Sequence, residues 1–236
     1  MAKRITKSGS SAILYDDSRV SHISTDMFTA AYWGETQREG VQQGGRGSVL
    51  FVNHAGSDWV IRHYYRGGMV GKVLADQYLW TGRERTRPFR EWHLLTSMQD
   101  LQLPAPVPVA AHYRRTGLYY TADLITENLG EVESFAHRFA TADADVWEAV
   151  GAAIAGFQQH GFCHADLNAW NVQIAADGKV FVLDWDRGRR RASGTWRQAN
   201  LRRLAHSLRK LSEQQGAEFD AGKWQILLNA CNARHR

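Results

Sequence analysis

Between residues 164 and 186 the chain reads His164-Ala165-Asp166-Leu167-Asn168-Ala169-Trp170-Asn171, then two short apolar runs about a turn, then Asp184-Trp185-Asp186. The runs at 172–174 and 180–183 flank Ala176-Asp177-Gly178-Lys179, and a glycine-bearing turn between two β-forming runs predicts a hairpin. A hairpin leaves its outer ends side by side, so Asp184 returns to the neighbourhood of Asn171, itself five residues after Asp166. Taken singly, each of these side chains is most simply a turn-former or a cap. Together, an acid, an amide and a second acid form the polar layout that phosphoryl transfer to a hydroxyl requires. Asp166 could accept the proton of the attacking hydroxyl, while Asn171 and Asp184 could hold Mg²⁺ against a nucleotide triphosphate.

The remainder of the chain divides by character. Residues 12–15, 48–53 and 59–64 are β-like runs, the last two joined by Asn53-His54-Ala55-Gly56-Ser57-Asp58, which reads as a hairpin turn. A helix is expected from Thr86 or Pro88 to about Leu101, with Trp92, Leu95 and Met98 on one face and Pro88 tolerated in the first turn. Leu103-Pro104-Ala105-Pro106-Val107-Pro108 must then be extended, because a proline disfavours helix at the residue before it. Strand-like runs at 109–114 and 119–125 complete an antiparallel sheet. Further on, Asp145 reads as a helix cap with Glu148 three residues later, followed by Trp147, Val150, Ile154 and Phe157 at helical spacing and by Gly161 as a stop. Helices are expected at 196–214 and 221–233, separated around Gly216. A β-rich half thus precedes a helix-rich half. The expectation is an α+β chain of two lobes, 1–126 and 127–236, forming one catalytic unit. Trp33, Trp170 and Trp185 are assigned to the core rather than to a ligand.

Composition bounds the classes of function. Hydrophobic residues make up 44% and charged residues 22% of the 236, an ordinary globular balance. No apolar run approaches the ~18 residues needed to span a bilayer. The start, Met1-Ala2-Lys3-Arg4-Ile5-Thr6-Lys7-Ser8, is basic but leads into no hydrophobic segment, which argues against a secretion signal. Cys163 and Cys231 form no disulfide or ligand pattern, and buried thiols in a reducing cytoplasm are expected. A zinc site from His160, Cys163, His164 and Asp166 is too crowded and lacks a second ligand pair, so His164 reads as an internal brace of its loop. The net charge is +5, and the arginines are clumped at 83, 85, 87 and 90, at 187 and 189–191, and at 202, 203 and 209 beside Lys210. Such clusters are either solvated faces or a surface for a polyanion. Nucleic acid, anionic lipid headgroups and a phosphorylated glycolipid all meet that description.

The wording of the motifs goes further. His164-x-Asp166-Leu167-x3-Asn171 with Leu183-Asp184-Trp185-Asp186 resembles the catalytic and metal-binding loops of the protein-kinase-like fold. His164-Ala165-Asp166-Leu167-Asn168-Ala169, Asp184-Trp185-Asp186-Arg187-Gly188-Arg189, Arg62-His63-Tyr64-Tyr65-Arg66-Gly67-Gly68 and Phe89-Arg90-Glu91-Trp92-His93-Leu94-Leu95 are similar to the 3-deoxy-D-manno-octulosonic acid (Kdo) kinases of lipopolysaccharide assembly. The likeness runs roughly from residue 30 to residue 210. It implies an antiparallel N-lobe sheet with one main helix, covering the nucleotide, and a small, mostly helical C-lobe carrying the catalytic and metal loops. It also implies ATP and Mg²⁺, with Asp166 as base and Asn171 and Asp184 as metal ligands. Gly44, Gly45 and Gly47 sit where a glycine-rich loop would cover the phosphates, glycine letting backbone N–H groups approach anionic oxygens.

Two departures from the protein-kinase pattern bear on the substrate. The strand position of the phosphate-binding lysine is occupied by Arg62, a permanently charged planar fork, with Glu91 as its expected partner and Lys72 as the alternative cation. Asn168 stands two residues after Asp166 where protein kinases carry lysine, and Asp186 replaces the glycine of the metal-binding loop. Both shift the expectation from a protein substrate to a sugar hydroxyl. By resemblance the acceptor is the 4-hydroxyl of Kdo on a lipid A precursor, and the enzyme is peripheral to the cytoplasmic face of the inner membrane, its arginines meeting an anionic surface. Nucleic acid is not an expected partner, and no feature of the chain speaks to oligomeric state. The competing readings are another phosphotransferase of the same fold, or a catalytically silent module binding anionic lipid or nucleic acid.

Overall fold

A computed structural model describes residues 3–34, 37–41, 48–66 and 76–233. The chain divides into two units, the first formed by 1–97 and 106–128, the second by 98–105 and 129–236.

The first unit is built on an antiparallel sheet. Its strands are β1 (Lys3–Ser8), β2 (Ser11–Asp16), β3 (Gln37–Val41), β4 (Ser48–His54), β5 (Ser57–His63), β6 (Tyr78–Leu79), β7 (Pro108–Thr116) and β8 (Tyr119–Glu127), in the order β1-β2-β7-β8-β5-β4-β3 with β6 also on β8. The turn foreseen across six residues between β4 and β5 is tighter. Asn53 pairs with Asp58 and His54 with Ser57, leaving only Ala55 and Gly56 to turn, both at positive φ (51° and 85°). That conformation is the two-residue turn whose twist matches the strands it joins, and Gly56 bears half of it without steric cost. Trp59 and Ile61 alternate along β5 into a cluster with Val52, Val109 and Ile125, closed by Met27, Phe28 and Trp33 from the 3₁₀ turn Thr25–Phe28 and the short helix α1 (Ala30–Trp33). Period-two alternation sends Arg62 to the opposite face of β5. There it meets helix α2 (Arg87–Asp100), whose Phe89, Trp92, Leu95 and Met98 are buried.

In the second unit the helix α4 (Ala144–Gln159) follows β9 (Val132–Ser134) and the single turn α3 (Phe135–Arg138). Its Trp147, Val150, Ile154 and Phe157 are buried as their spacing requires. The cap, however, is Asp143, whose carboxylate accepts from the Val146 N–H at 3.1 Å, two residues before the expected Asp145. Then come β10 (Phe162–Cys163), β11 (Val172–Ala175), β12 (Val180–Val182), β13 (Arg189–Arg190), α5 (Trp196–Gln214) and α6 (Ala221–Ala233). β11 is sandwiched between β12 and β9, while β10 pairs with β13. α4 and α6 approach so closely that a Cβ on Gly151 would lie 2.3 Å from the Leu227 carbonyl oxygen. The Cys231 thiol donates to the Gly151 carbonyl at 3.1 Å, and burial pushes that thiol up to about 12. Both cysteines are buried and unpaired. Among the described residues no helix is long and apolar enough to cross a membrane.

Candidate active site

The hairpin of β11 and β12 closes as a two-stranded ladder, Val172 opposite Val182 and Ile174 opposite Val180. One step beyond the ladder, the Leu183 N–H donates to the Asn171 carbonyl at 2.8 Å, so Asp184 follows directly on a residue bonded to Asn171. Asp184 itself sits at φ 62°, a left-handed conformation that costs a non-glycine residue roughly 1–3 kcal/mol and persists where its surroundings impose it. They do so on both sides. Leu183 is bonded to Asn171, and Trp185, almost fully buried against Phe157, Phe162 and His164, donates its indole N–H to the Val182 carbonyl at 2.8 Å.

Asp166 and Asn171 are joined through the loop between them. The Asn171 Nδ2 donates to the Asp166 carbonyl at 2.9 Å, which leaves its Oδ1 as the acceptor end of the amide. Asn168 organises the turn between the two. Its Oδ1 accepts from the Trp170 and Asn171 N–H groups at 2.9 and 3.2 Å, capping the 3₁₀ turn Ala169–Asn171, and its Nδ2 donates to the Asp166 carbonyl at 3.2 Å.

His164 braces the assembly from inside. Its Nδ1 accepts from the Asp166 N–H at 3.1 Å, so the proton must be on Nε2, which donates to the Leu183 carbonyl at 2.8 Å. One neutral imidazole therefore ties the Asp166 loop to the end of the hairpin. Burial holds its pKa below the usual histidine value, against the opposing pull of the Leu183 carbonyl and the Asp184 and Asp166 carboxylates.

Three residues of this assembly were not legible in the sequence. Asn200 bonds both the N–H and the carbonyl of His164, at 3.3 and 2.6 Å, and the Ser207 hydroxyl accepts from the Ala169 N–H at 3.2 Å. Arg203 lies between them on the same face of α5 and extends Nη1 to the Asp166 carboxylate, 3.3 Å away. The spacing 200, 203, 207 defines one face of the helix expected at 196–214. That the face meets the Asp166 loop is a tertiary fact with no local signal. Below the loop, β10 and β13 pair Cys163 with Arg189, and the Arg191 N–H donates to the Gly161 carbonyl at 2.8 Å.

The first unit holds its own buried polar cluster. Arg62 Nη2 donates to Glu91 Oε1 at 2.5 Å, and the Tyr64 hydroxyl donates to Glu91 Oε2 at 2.5 Å. Glu91 is 3% exposed, so both oxygens of a buried carboxylate are met by donors, one of them charged. On the face of β5 opposite Arg62, the strand register sets His63, Asp123 and His112 in one row across β5, β8 and β7. Burial works to raise the Asp123 pKa, but hydrogen bonds with His112 and His63 outweigh it and hold the carboxyl below its ordinary value. Gly44, Gly45 and Gly47, and the alternative cation Lys72, lie outside the described residues.

Among the described residues no group of three or more His, Cys, Asp and Glu side chains gathers around a metal position. Asp184 and Asn171 offer instead one carboxylate and one amide oxygen. Such a sparse, hard-oxygen set suits Mg²⁺, which completes its shell with water and substrate phosphates rather than with a protein cage.

The family model for the lipopolysaccharide kinase (Kdo/WaaP) family matches residues 31–222. A 3-deoxy-D-manno-octulosonic acid kinase of Stenotrophomonas maltophilia (strain R551-3) is 42% identical over 212 residues, 89% of this chain and 85% of that protein. The protein of the same description from Xanthomonas axonopodis pv. citri (strain 306) is likewise 42% identical over 212 residues, with the same shares covered. Among solved structures, the crystal structure of WbdD superposes with a TM-score of 0.52 at 14% identity, over 85% of this chain and 46% of the WbdD chain. That last likeness is one of fold, and it accords with the α+β, kinase-like architecture described above. A match that takes in the Arg62 strand, α2, the Asp166 loop and the Asp184 hairpin together makes this chain a member of the lipopolysaccharide kinase (Kdo/WaaP) family.

Proposed function

We propose that the protein transfers the γ-phosphoryl group of ATP to the 4-hydroxyl of Kdo on a lipid A precursor, at the cytoplasmic face of the inner membrane. The reading rests on one observation above all. The loop and hairpin of the second unit hold Asp166, Asn171 and Asp184 together, the Asn171 amide donating to the Asp166 carbonyl and the Leu183 N–H to the Asn171 carbonyl. The names of the relatives, 3-deoxy-D-manno-octulosonic acid kinases, support Kdo as the acceptor.

In this mechanism the exposed Asp166 carboxylate orients the sugar hydroxyl and takes its proton as the oxygen bonds to phosphorus, while the bond from phosphorus to the leaving ADP oxygen breaks. Asn171 and Asp184 would hold Mg²⁺, which when bound supplies positive charge to the β- and γ-phosphates. His164 and Asn200 keep the Asp166 loop from relaxing, so that the hydroxyl meets a fixed base. Arg62, held by Glu91, would pair with nucleotide phosphates, and the segment containing Gly44, Gly45 and Gly47 would cover them. The arginine clusters would meet the phosphorylated glycolipid and the anionic leaflet.

The test is mass spectrometry of a Kdo-bearing lipid A precursor after incubation with ATP and Mg²⁺. One added phosphate on the Kdo 4-position is expected from wild type. Asp166→Ala should lower kcat by about 10²–10⁴-fold, as expected for loss of a general base. Equal phosphate incorporation by the two proteins would sink the assignment of Asp166.

A further inference from the structure

The charge beside the catalytic base comes from an unexpected direction. In the protein-kinase pattern a lysine two residues after the aspartate supplies it, but that position is Asn168, and both ends of the Asn168 amide are committed to building the loop. The cation is Arg203, reaching in from α5. Asn200 and Ser207 anchor the same helical face to the loop, so Arg203 is carried on a rigid element registered to Asp166. The ion pair is a poor candidate for a stabilising device. Its side chains are 54% and 55% exposed, and it is a single contact at 3.3 Å rather than a bidentate fork. One of the five N–H donors of the guanidinium is used on Asp166, and the planar fork keeps further donors for a second anion.

We propose that Arg203 determines acceptor specificity by binding the carboxylate of the Kdo sugar while Asp166 binds its hydroxyl. The inference rests on the Kdo kinase reading and deepens it. A 3-deoxyoctulosonic acid differs from a neutral sugar by a carboxylate on the residue that also bears the acceptor hydroxyl. A base that engages the hydroxyl therefore needs a cation close beside it for the acid. An exposed guanidinium in contact with that base meets the requirement, and its planar geometry matches a carboxylate better than a lysine ammonium would. Arg203 would keep one donor on Asp166 while another holds the sugar acid, so recognition of the acid and placement of the hydroxyl become one event.

The experiment compares two acceptors, the Kdo-bearing lipid A precursor and the same lipid with its Kdo carboxyl methyl-esterified, using wild type, Arg203→Ala and Arg203→Lys. Wild type is expected to prefer the acid by about 10–100-fold in kcat/KM, the range for losing a charged hydrogen bond. Arg203→Ala should lose a clearly larger factor on the acid than on the ester, where only its contact with Asp166 is lost, with the KM for ATP unchanged; Arg203→Lys should recover part of the preference. The wild-type preference is read without any variant, and thermal midpoints check that the substitutions fold. If Arg203→Ala loses the same factor on both acceptors, the guanidinium serves the transferring phosphoryl or the base, and the inference falls while the Kdo kinase reading stands. If wild type phosphorylates neither acceptor, both fall together.

Discussion

His164 makes a sharp demand on protonation state. Its Nδ1 must accept and its Nε2 must donate, so the loop is built around a neutral ring. Because burial holds its folded-state pKa below the ordinary 6.5, the folded protein binds fewer protons than the unfolded chain in that range. The contribution of His164 to stability is therefore complete above about pH 6.5 and is lost progressively as pH falls below it toward the folded-state value. In urea titrations from pH 8 downward, the advantage of wild type over His164→Gln should hold to about pH 6.5 and then shrink; a constant difference would refute the brace. Arg62 makes a different demand. Removing one partner of a buried ion pair leaves the other charge poorly compensated, so Arg62→Ala should lower unfolding free energy by about 3 kcal/mol through the stranded Glu91. A loss confined to activity, with the urea midpoint unmoved, would mean that the pair serves the nucleotide alone.

Elements that announce themselves by periodicity were readable, and those made by tertiary pairing were not. The helices at 196–214 and 221–233 coincide with α5 and α6 because their apolar spacing and the intervening Gly216 are local signals. The β11–β12 hairpin was legible for the same reason, its turn chemistry and flanking runs lying within a dozen residues. β1 was not foreseen, since an edge strand with one partner needs no apolar face, and its Lys-Arg-Ile-Thr-Lys-Ser is almost wholly exposed. β10 and β13 are two residues each, and nothing in Arg189-Arg190 speaks of a strand until Cys163 lies opposite. The start of α4 shows how chemistry can mislead at close range. Asp143 and Asp145 are both plausible caps, and the Asp145–Glu148 spacing imitates a capping box, yet only Asp143 accepts from the first turn. Asp143→Ala should cost about 1 kcal/mol in a urea titration, and Asp145→Ala less than about 0.5. The reverse order would restore the expectation from sequence.

At the scale of the molecule, charge is the property that composition reports most directly. A net +5 is carried by clusters rather than spread, and in the second unit Arg187 and Arg189–Arg191 are exposed beside β13, as are Arg202, Arg203, Arg209 and Lys210 along α5. If these surfaces meet an anionic leaflet, each basic side chain near it contributes about 1 kcal/mol, and the attraction falls within a Debye length of about 8–10 Å at physiological salt. Binding to vesicles containing phosphatidylglycerol should therefore drop steeply between 50 and 500 mM NaCl and be absent from neutral vesicles. Salt-independent binding would point to insertion of apolar groups instead. The change from β-rich to helix-rich sequence lies near residue 128, where the first unit ends. Assignment of 98–105 to the second unit depends on bonds such as that from the Val182 N–H to the Pro104 carbonyl, which no reading along the chain supplies. The pairing of Cys163 with Arg189 also has a regulatory consequence. Kinases governed by the ordering of a segment beside the active site need that segment to be long enough to swing. Here the chain is fastened again at the fifth residue past Asp184 and enters α5 at Trp196, so a phosphorylation switch has no lever to move.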